Sequence, residues 1–272
     1  MLRICFFSAL VAAVIGATAV GLMQSGPAPD RQPAPVVPVY VVEMHDNYFD
    51  PPGLFLQLGD SVTWVLSETA GNSGHSATAY HPSQDKELRI PEAAQPFNSD
   101  VFKKLGNRFT FKFTVSGVYD YFCIPHEDVG MVGRLIVKEA TGPGTKPLDQ
   151  GVSVAGQSIM PTIDEVLGLN GQLFNFLARL NAVLLLTQQN HRDQATIQLK
   201  LLRQDWESGI NKPSSVYESL KSVGFQEDFS KQLSALEDAF NKNSPTNAIQ
   251  DLVQKAKEIL NKAMSKLSQG KS

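Results

Sequence analysis

The stretch "YDYFCIPHEDVGMVGRLIV", residues 119–137, decides the fold and carries the most specific chemistry of this chain. Within it, Cys123, His126 and Met131 place a thiol, an imidazole and a thioether in one short segment. An aromatic, strand-like run precedes the segment, and a second strand-like run, "GRLIV", follows it. We therefore predict a tight loop between two strands that directs all three side chains inward.

The composition limits the classes of protein to which this chain can belong. The chain has 272 residues, 42% of them hydrophobic and 19% charged, which is typical of folded domains and unlike a disordered chain. The formal net charge of −3 argues against a nucleic acid as partner. One of the two cysteines, Cys5, lies in the N-terminal apolar segment, so Cys123 has no disulfide partner in the remainder of the chain.

Residues 1–24 run from a basic start into a long apolar stretch without a charge. Two interpretations stay open. The small residues around Ala17 and Ala19 fit the cleavage site of a signal peptide, whereas an uncleaved segment is long enough to anchor the chain in a membrane. Both predict an exported protein, periplasmic or otherwise extracytoplasmic. A Pro-rich linker is predicted over residues 25–38.

Residues 39–139 have the pattern of a mainly β domain. Short runs such as "VYVVEM" and "RFTFKFTV" are rich in β-branched and aromatic residues and are separated by Gly-, Asn- and Pro-rich breaks. In "RFTFKFTV" the apolar residues alternate with polar ones, which is typical of a half-buried strand. We predict a β-sandwich over this range.

Beyond a second linker, residues 140–160, the periodicity becomes helical. Leucine and aromatic residues recur at helical spacing over residues 161–269, which predicts an all-α helical bundle domain. The apolar run at Leu184–Leu186 has an alternative interpretation as a partner or membrane contact. It is far too short to span a bilayer, and a soluble bundle is favoured.

The three residues of the loop match an incomplete copper site. Copper in an electron-transfer centre takes two imidazoles, one thiolate and a weak axial thioether. The second imidazole must come from His45, His75, His81 or His191. His75 follows a Gly-rich turn from which it can reach the loop, and it is favoured. His81 stays open, whereas His45 and His191 are predicted to be a turn residue and a helix-joint residue.

The stretch 119–137, with "GDSVTW" and "GHSATAYHP" upstream, resembles the plastocyanin-like cupredoxins, in particular the halocyanin-type blue copper proteins. The resemblance covers residues 39–139. It implies a Greek-key β-sandwich, one-electron transfer and one copper ion, with His126 as the expected electron port. The implied metal ligands are His75, Cys123, His126 and Met131. The chain departs from a minimal cupredoxin in the segment "QDKELRIPEAAQPFNSD", residues 84–100, and in the helical region, on which the resemblance says nothing.

Several residues in the decisive stretch have plainer interpretations. A lone cysteine is often a buried hydrophobic residue, but the joint spacing of thiol, imidazole and thioether favours metal ligation. Tyr119, Tyr121 and Phe122 are predicted to be core aromatics rather than an electron path. Glu127 and Asp128 are predicted to be solvated charges, with docking of a cationic partner as the alternative.

The predicted function is that of a blue copper protein that carries single electrons between redox partner proteins outside the cytoplasm. These partners are predicted to be membrane-bound. An enzyme is not predicted, because four protein ligands leave no open metal position for a substrate. Two alternatives remain: a copper carrier or storage protein, and a docking subunit of a membrane redox complex, attached through its helical domain.

Overall fold

The structure is a computed structural model in which residues 39–67 and 74–269 are described. The predicted N-terminal segment 1–24 and the linker 25–38 lie outside the described residues. The strands are β1 (Val39–Met44), β2 (Phe49–Asp50), β3 (Gly53–Leu56), β4 (Ser61–Leu66), β5 (Thr78–Ala79), β6 (Arg108–Lys112), β7 (Gly117–Phe122) and β8 (Val132–Val137). The α-helices are α1 (Val154–Ile159), α2 (Ile163–Leu167), α3 (Leu169–Gln188), α4 (Arg192–Ser208), α5 (Val216–Ser222), α6 (Gln226–Asn241) and α7 (Thr246–Gln269).

The strands form two four-stranded sheets, in the orders β2-β1-β4-β6 and β3-β8-β7-β5. Both sheets are mixed, because β1 pairs parallel to β4 and β3 pairs parallel to β8, whereas the other pairs are antiparallel. The inward side chains of the two sheets meet in one apolar core. The predicted β-sandwich followed by an all-α region is therefore confirmed.

Aromatic rings fill the centre of the sandwich. The Trp64 ring lies 5.1 Å from that of Phe97 and 5.4 Å from that of Tyr121, centroid to centroid. Tyr119, Tyr121 and Phe122 are all at least 97% buried, as predicted for core residues. Phe122 points away from the central core and packs against the Tyr80 ring at 4.7 Å. Strand β7 is therefore buried on both faces.

The helical region packs directly on the sandwich. Val41 and Val65, on the outer face of the first sheet, form a buried cluster with Ala182 of α3. At the edge strand β3, the Asn175 side chain accepts a hydrogen bond from the Phe55 N–H and donates one to the Phe55 carbonyl. Strands and helices thus belong to one compact unit, and the predicted domain boundaries remain a prediction.

The apolar run at Leu184–Leu186 packs inside this unit. Leu186 is buried, and Leu185 packs against the cluster that joins α3 to the sheet. Within residues 39–67 and 74–269, no helix combines the length and the apolar character needed to cross a membrane.

Buried charges hold the segment between sandwich and bundle against the second sheet. The Asp120 carboxylate accepts hydrogen bonds from Arg89 Nε at 2.8 Å and from Arg134 Nε at 2.7 Å, and all three side chains are almost fully buried. The Arg89 guanidinium also donates to backbone carbonyls of the predicted second linker, namely those of Gly144, Lys146, Pro147 and Gln150. Because every charge has a partner, the burial of this triad is compensated.

Candidate metal centre

Three of the four predicted ligands converge at one end of the sandwich. Cys123 Sγ lies 3.6 Å from His75 Nδ1 and 3.5 Å from His126 Nδ1, and the two Nδ1 atoms lie 3.0 Å apart. Cys123 and His75 are wholly buried, whereas His126 is partly exposed. The structure thus brings one sulfur and two ring nitrogens to a common point.

These separations fit one metal ion. Protein nitrogen and sulfur donors lie roughly 2.0–2.3 Å from a first-row ion such as zinc, so two ligands of one ion are at most about 4.6 Å apart. All three donor–donor distances are shorter than this limit. A thiolate with two imidazoles is the donor set of a trigonal copper site, and the residues present therefore fit copper.

Strand register places the fourth predicted ligand, Met131, beside Cys123. The β7–β8 register pairs Phe122 with Val132, and the next position pairs Cys123 with Met131 through a hydrogen bond of 3.0 Å from the Cys123 N–H to the Met131 carbonyl. Residues opposite each other on adjacent strands project to the same face of a sheet. The Met131 side chain is wholly buried, in the same core cluster as Cys123.

Backbone hydrogen bonds within the loop between β7 and β8 hold the loop in a compact conformation. The His126 N–H donates to the Cys123 carbonyl, and the Met131 N–H donates to the His126 carbonyl. A single 3-10 turn, Glu127–Val129, fills the space between, and it ends at Gly130 with a φ of 95°. This left-handed conformation favours glycine, which explains the residue found before Met131.

The segment 84–100 supports the upstream ligand. His75 forms a two-way backbone bridge to Phe102, just after this segment. The Ser99 hydroxyl accepts a hydrogen bond from the Ala77 N–H at 2.9 Å. Residues 98 and 99 of this segment thus lie alongside the short strand that follows His75 and fix its backbone.

Ser76 is a site residue that the sequence analysis missed. Its N–H donates to Cys123 Sγ at 3.3 Å, and its hydroxyl accepts from the Ile124 N–H at 2.9 Å. The same hydroxyl lies 3.0 Å from that of Thr78, which donates to Asn98 Oδ1. A hydrogen bond to a metal-bound thiolate tunes its electronics. The only sequence signal was the position of Ser76 directly after His75.

Burial shifts the pKa of the thiol and of both imidazoles at this site. Burial raises the pKa of the Cys123 thiol to about 11, so it keeps its proton at neutral pH when no metal is bound. A reactive nucleophile would need the opposite shift. Burial, and after it the charge of His126, lowers the pKa of His75 to about 4. Burial also lowers the pKa of His126, with Asp46 opposing. Both imidazoles are thus neutral and able to act as ligands.

The remaining histidines lie elsewhere. His81 begins a 3-10 turn, where its Nδ1 accepts a hydrogen bond from the Ser83 N–H at 3.0 Å. His45 stacks on Tyr48 in the turn after β1, and His191 precedes α4, as predicted for a turn and a helix joint. Among the described histidines, only His75 and His126 share a group with Cys123.

One prediction about the loop is wrong. Glu127 is not a solvated charge, because it is only 6% exposed. Its carboxylate accepts a hydrogen bond from the Tyr80 hydroxyl at 2.9 Å and forms an ion pair with Lys86. Asp128 is exposed, as predicted. Of the two neighbouring acids in this 3-10 turn, only Glu127 is buried.

Comparison with known proteins agrees with this geometry. The profile of the copper-binding proteins of the plastocyanin/azurin family matches residues 39–138. The plastocyanin of Scenedesmus fuscus is 30% identical over 93 residues, which cover 33% of this chain and 86% of that protein. The chloroplastic plastocyanin of Tetradesmus obliquus is 35% identical over 100 residues, 33% of this chain but only 58% of that relative, so the chain spans less than two thirds of it.

Two further proteins are similar to part of this chain. The halocyanin of Natronomonas pharaonis is 33% identical over 90 residues, which cover 33% of this chain and 48% of that protein. A pseudoazurin structure from Sinorhizobium is 24% identical, with a TM-score of 0.34 over 48% of this chain and 97% of the other. The sandwich and its centre of two imidazoles, a thiol and a thioether define a cupredoxin. The chain belongs to the plastocyanin/azurin family of copper-binding proteins, which confirms the resemblance seen in the sequence.

Proposed function

We propose that this protein is a blue copper electron carrier in which His75, Cys123, His126 and Met131 bind one copper ion. The convergence of two imidazole Nδ1 atoms and one thiol within 3.6 Å of one another carries the proposal. Bound copper would supply a one-electron couple, with potential set by its ligands and their surroundings.

The residues of the site are suited to fast electron transfer. The ligands are fixed by backbone hydrogen bonds within the loop and by burial, so they need little movement when the charge of the site changes. The partly exposed His126 is the proposed electron port. Ile124 and Val129 of the same loop are exposed and apolar, so they provide apolar surface, beside the exposed Asp128, that a partner can approach closely.

Four protein ligands around one ion leave no position for a substrate, which supports a carrier rather than an enzyme. We further propose that the protein works outside the cytoplasm, between redox partner proteins that are membrane-bound. The support is the apolar segment 1–24, whose sequence has the features of a signal peptide or a membrane anchor. The donor and acceptor are proposed only as proteins with exposed one-electron centres.

Electron exchange and metal release distinguish the carrier from a copper transport or storage protein. The copper-loaded protein should be reduced and reoxidised repeatedly with chemical one-electron reagents, with the copper retained during a challenge by a strong chelator. An electron carrier should cycle without loss of metal. Release of the copper within the mixing time, together with an irreversible redox response, would contradict the proposal and favour copper delivery.

A further inference from the structure

We propose that Tyr80 and Ser153 are positioning residues for the metal-ligand loop. Together with Glu127 they form a clamp, called here the loop clamp, that fixes the turn between His126 and Met131 from outside the sandwich. The effect of the clamp on the metal rests on the proposed copper function, whereas its effect on the loop does not.

The loop clamp closes on the residue that directly follows the ligand His126. The Tyr80 hydroxyl donates to Glu127 Oε1 at 2.9 Å, and Lys86 pairs with the other carboxylate oxygen. The Ser153 hydroxyl donates to the Glu127 backbone carbonyl at 2.8 Å. Side chain and backbone of one buried loop residue are therefore held by three groups from distant parts of the chain.

The Ser153 hydroxyl also connects the loop to helix α1. It accepts a hydrogen bond from the Gly156 N–H at 3.1 Å, so it caps the helix as well as binding the loop. The helix lies directly on the turn, because a Cβ atom at Gly130 would be 3.0 Å from Ile159 Cγ1 and 3.4 Å from the Ala155 carbonyl oxygen. Helix α1 thus packs closely on the turn at Gly130.

A shift of the turn would also shift the metal ligands on either side of it, His126 and Met131. The backbone of Met131 is bonded both to His126 and to Cys123, so the turn sets the position of the thioether and of the imidazole relative to the thiol. The weak axial ligand is one of the features that set the potential of a copper centre of this type. Burial and the neighbouring Glu127 raise the pKa of Tyr80 above its ordinary range, which keeps its hydroxyl available as a donor.

The test compares clamp variants with variants that lose the same groups elsewhere. Tyr80→Phe and Ser153→Ala each remove one clamp hydroxyl. Tyr119→Phe and Ser116→Ala are the matched controls, since those hydroxyls donate to the Val115 and Val137 carbonyls near the start of β7, at the end of the strand away from Cys123.

Two readouts are needed, both on the full chain. In the metal-free protein, amide hydrogen exchange at residues 126–131 should become about fivefold faster in the clamp variants, as for the loss of one ordinary hydrogen bond, and stay unchanged in the controls. In the copper-loaded protein, the reduction potential should shift in the clamp variants only.

The proposal is overturned if both clamp variants keep the wild-type exchange rates, if the potential stays fixed while exchange quickens, or if the controls change as much as the clamp variants. Failure of the copper function itself shows separately, as the lack of a blue band in the wild-type protein. Hydrogen exchange in the metal-free protein then decides alone whether the clamp holds the loop.

Discussion

The Nδ1 atoms of His75 and His126 lie 3.0 Å apart, although 51 residues separate the two histidines in the chain. His75 is fixed in a buried backbone bridge, and His126 stands in the loop after β7. Burial lowers the pKa of both rings, so at neutral pH two uncharged nitrogens face each other beside a thiol. The proposed copper ion would bind both nitrogens at once.

Loss of His75 should cost more copper affinity than loss of His81. His75→Ala removes a ligand, so Cu(II) affinity should fall by more than the roughly 100-fold that loss of an outer-shell partner costs. His81→Ala is the control, because that imidazole binds the Ser83 backbone in a separate turn. Competition with a chelator of known affinity measures both. Equal affinity in His75→Ala and wild type would exclude His75 as a ligand.

The metal-free protein should lose stability as the pH falls from about 6.5, where an unfolded histidine titrates, toward 4. The pKa of His75 is lowered to about 4 in the folded state, so between these values the unfolded state binds more protons. The free energy of unfolding should therefore be constant above this window and fall within it, by about 2–3 kcal/mol. The lowered pKa of His126 acts in the same direction.

Urea unfolding from pH 4 to pH 7.5 measures this dependence. His75→Gln should remove most of the slope, whereas His81→Gln, at a position more exposed than His75, should keep it. A wild-type slope in the His75→Gln protein would show that another group is responsible.

Asp120→Asn should strongly destabilise the fold. The substitution leaves two buried guanidinium groups, those of Arg89 and Arg134, without their shared counter-charge, at an expected cost of about 3–5 kcal/mol. Asp238→Asn makes the same chemical change in an exposed pair with Lys242 and should cost at most about 0.5 kcal/mol. Denaturant unfolding compares the two. Equal unfolding free energies would mean that the buried triad does not support the fold.

Asn175→Ala should loosen the contact between helix α3 and the edge strand β3. It removes both hydrogen bonds to the Phe55 backbone and leaves these groups without that partner, at about 1–3 kcal/mol. Asn261→Ala, at an exposed position of α7, is the control and should be neutral or slightly stabilising, because alanine favours helices. If both variants unfold at the same denaturant concentration as wild type, this contact contributes nothing measurable.

Local sequence patterns were sufficient to predict which regions form strands and which form helices. The alternation in "RFTFKFTV" agrees with β6, where Phe109 and Phe111 are partly buried between exposed neighbours. Strands β1 and β8 do not alternate in this way, because helices cover their outer faces: Val41 packs on α3 and Ile136 on α2. An apolar run shows that a strand is buried on both faces, but it does not show which helix covers it.

The residues of the candidate site also differ in whether local sequence predicts them. The sequence placed Cys123, His126 and Met131 in one short loop, and the structure brings His75 and His126 to Cys123. The choice of His75 over His81 depended on the resemblance to the cupredoxins. Ser76 and the buried role of Glu127 were not predictable. Both depend on contacts between segments about 47 residues apart in sequence, which follow from packing rather than from local pattern.

The visible absorption spectrum of the purified full chain with one equivalent of Cu(II), measured beside Cys123→Ser, tests the copper site most directly. The exchange of sulfur for oxygen barely changes the volume of the side chain, and circular dichroism confirms that the variant is folded. We predict an intense blue thiolate-to-copper band in the wild-type protein and its loss in Cys123→Ser. A folded wild-type protein without that band, or a Cys123→Ser variant that retains it, would contradict the assignment of Cys123 as a ligand of blue copper.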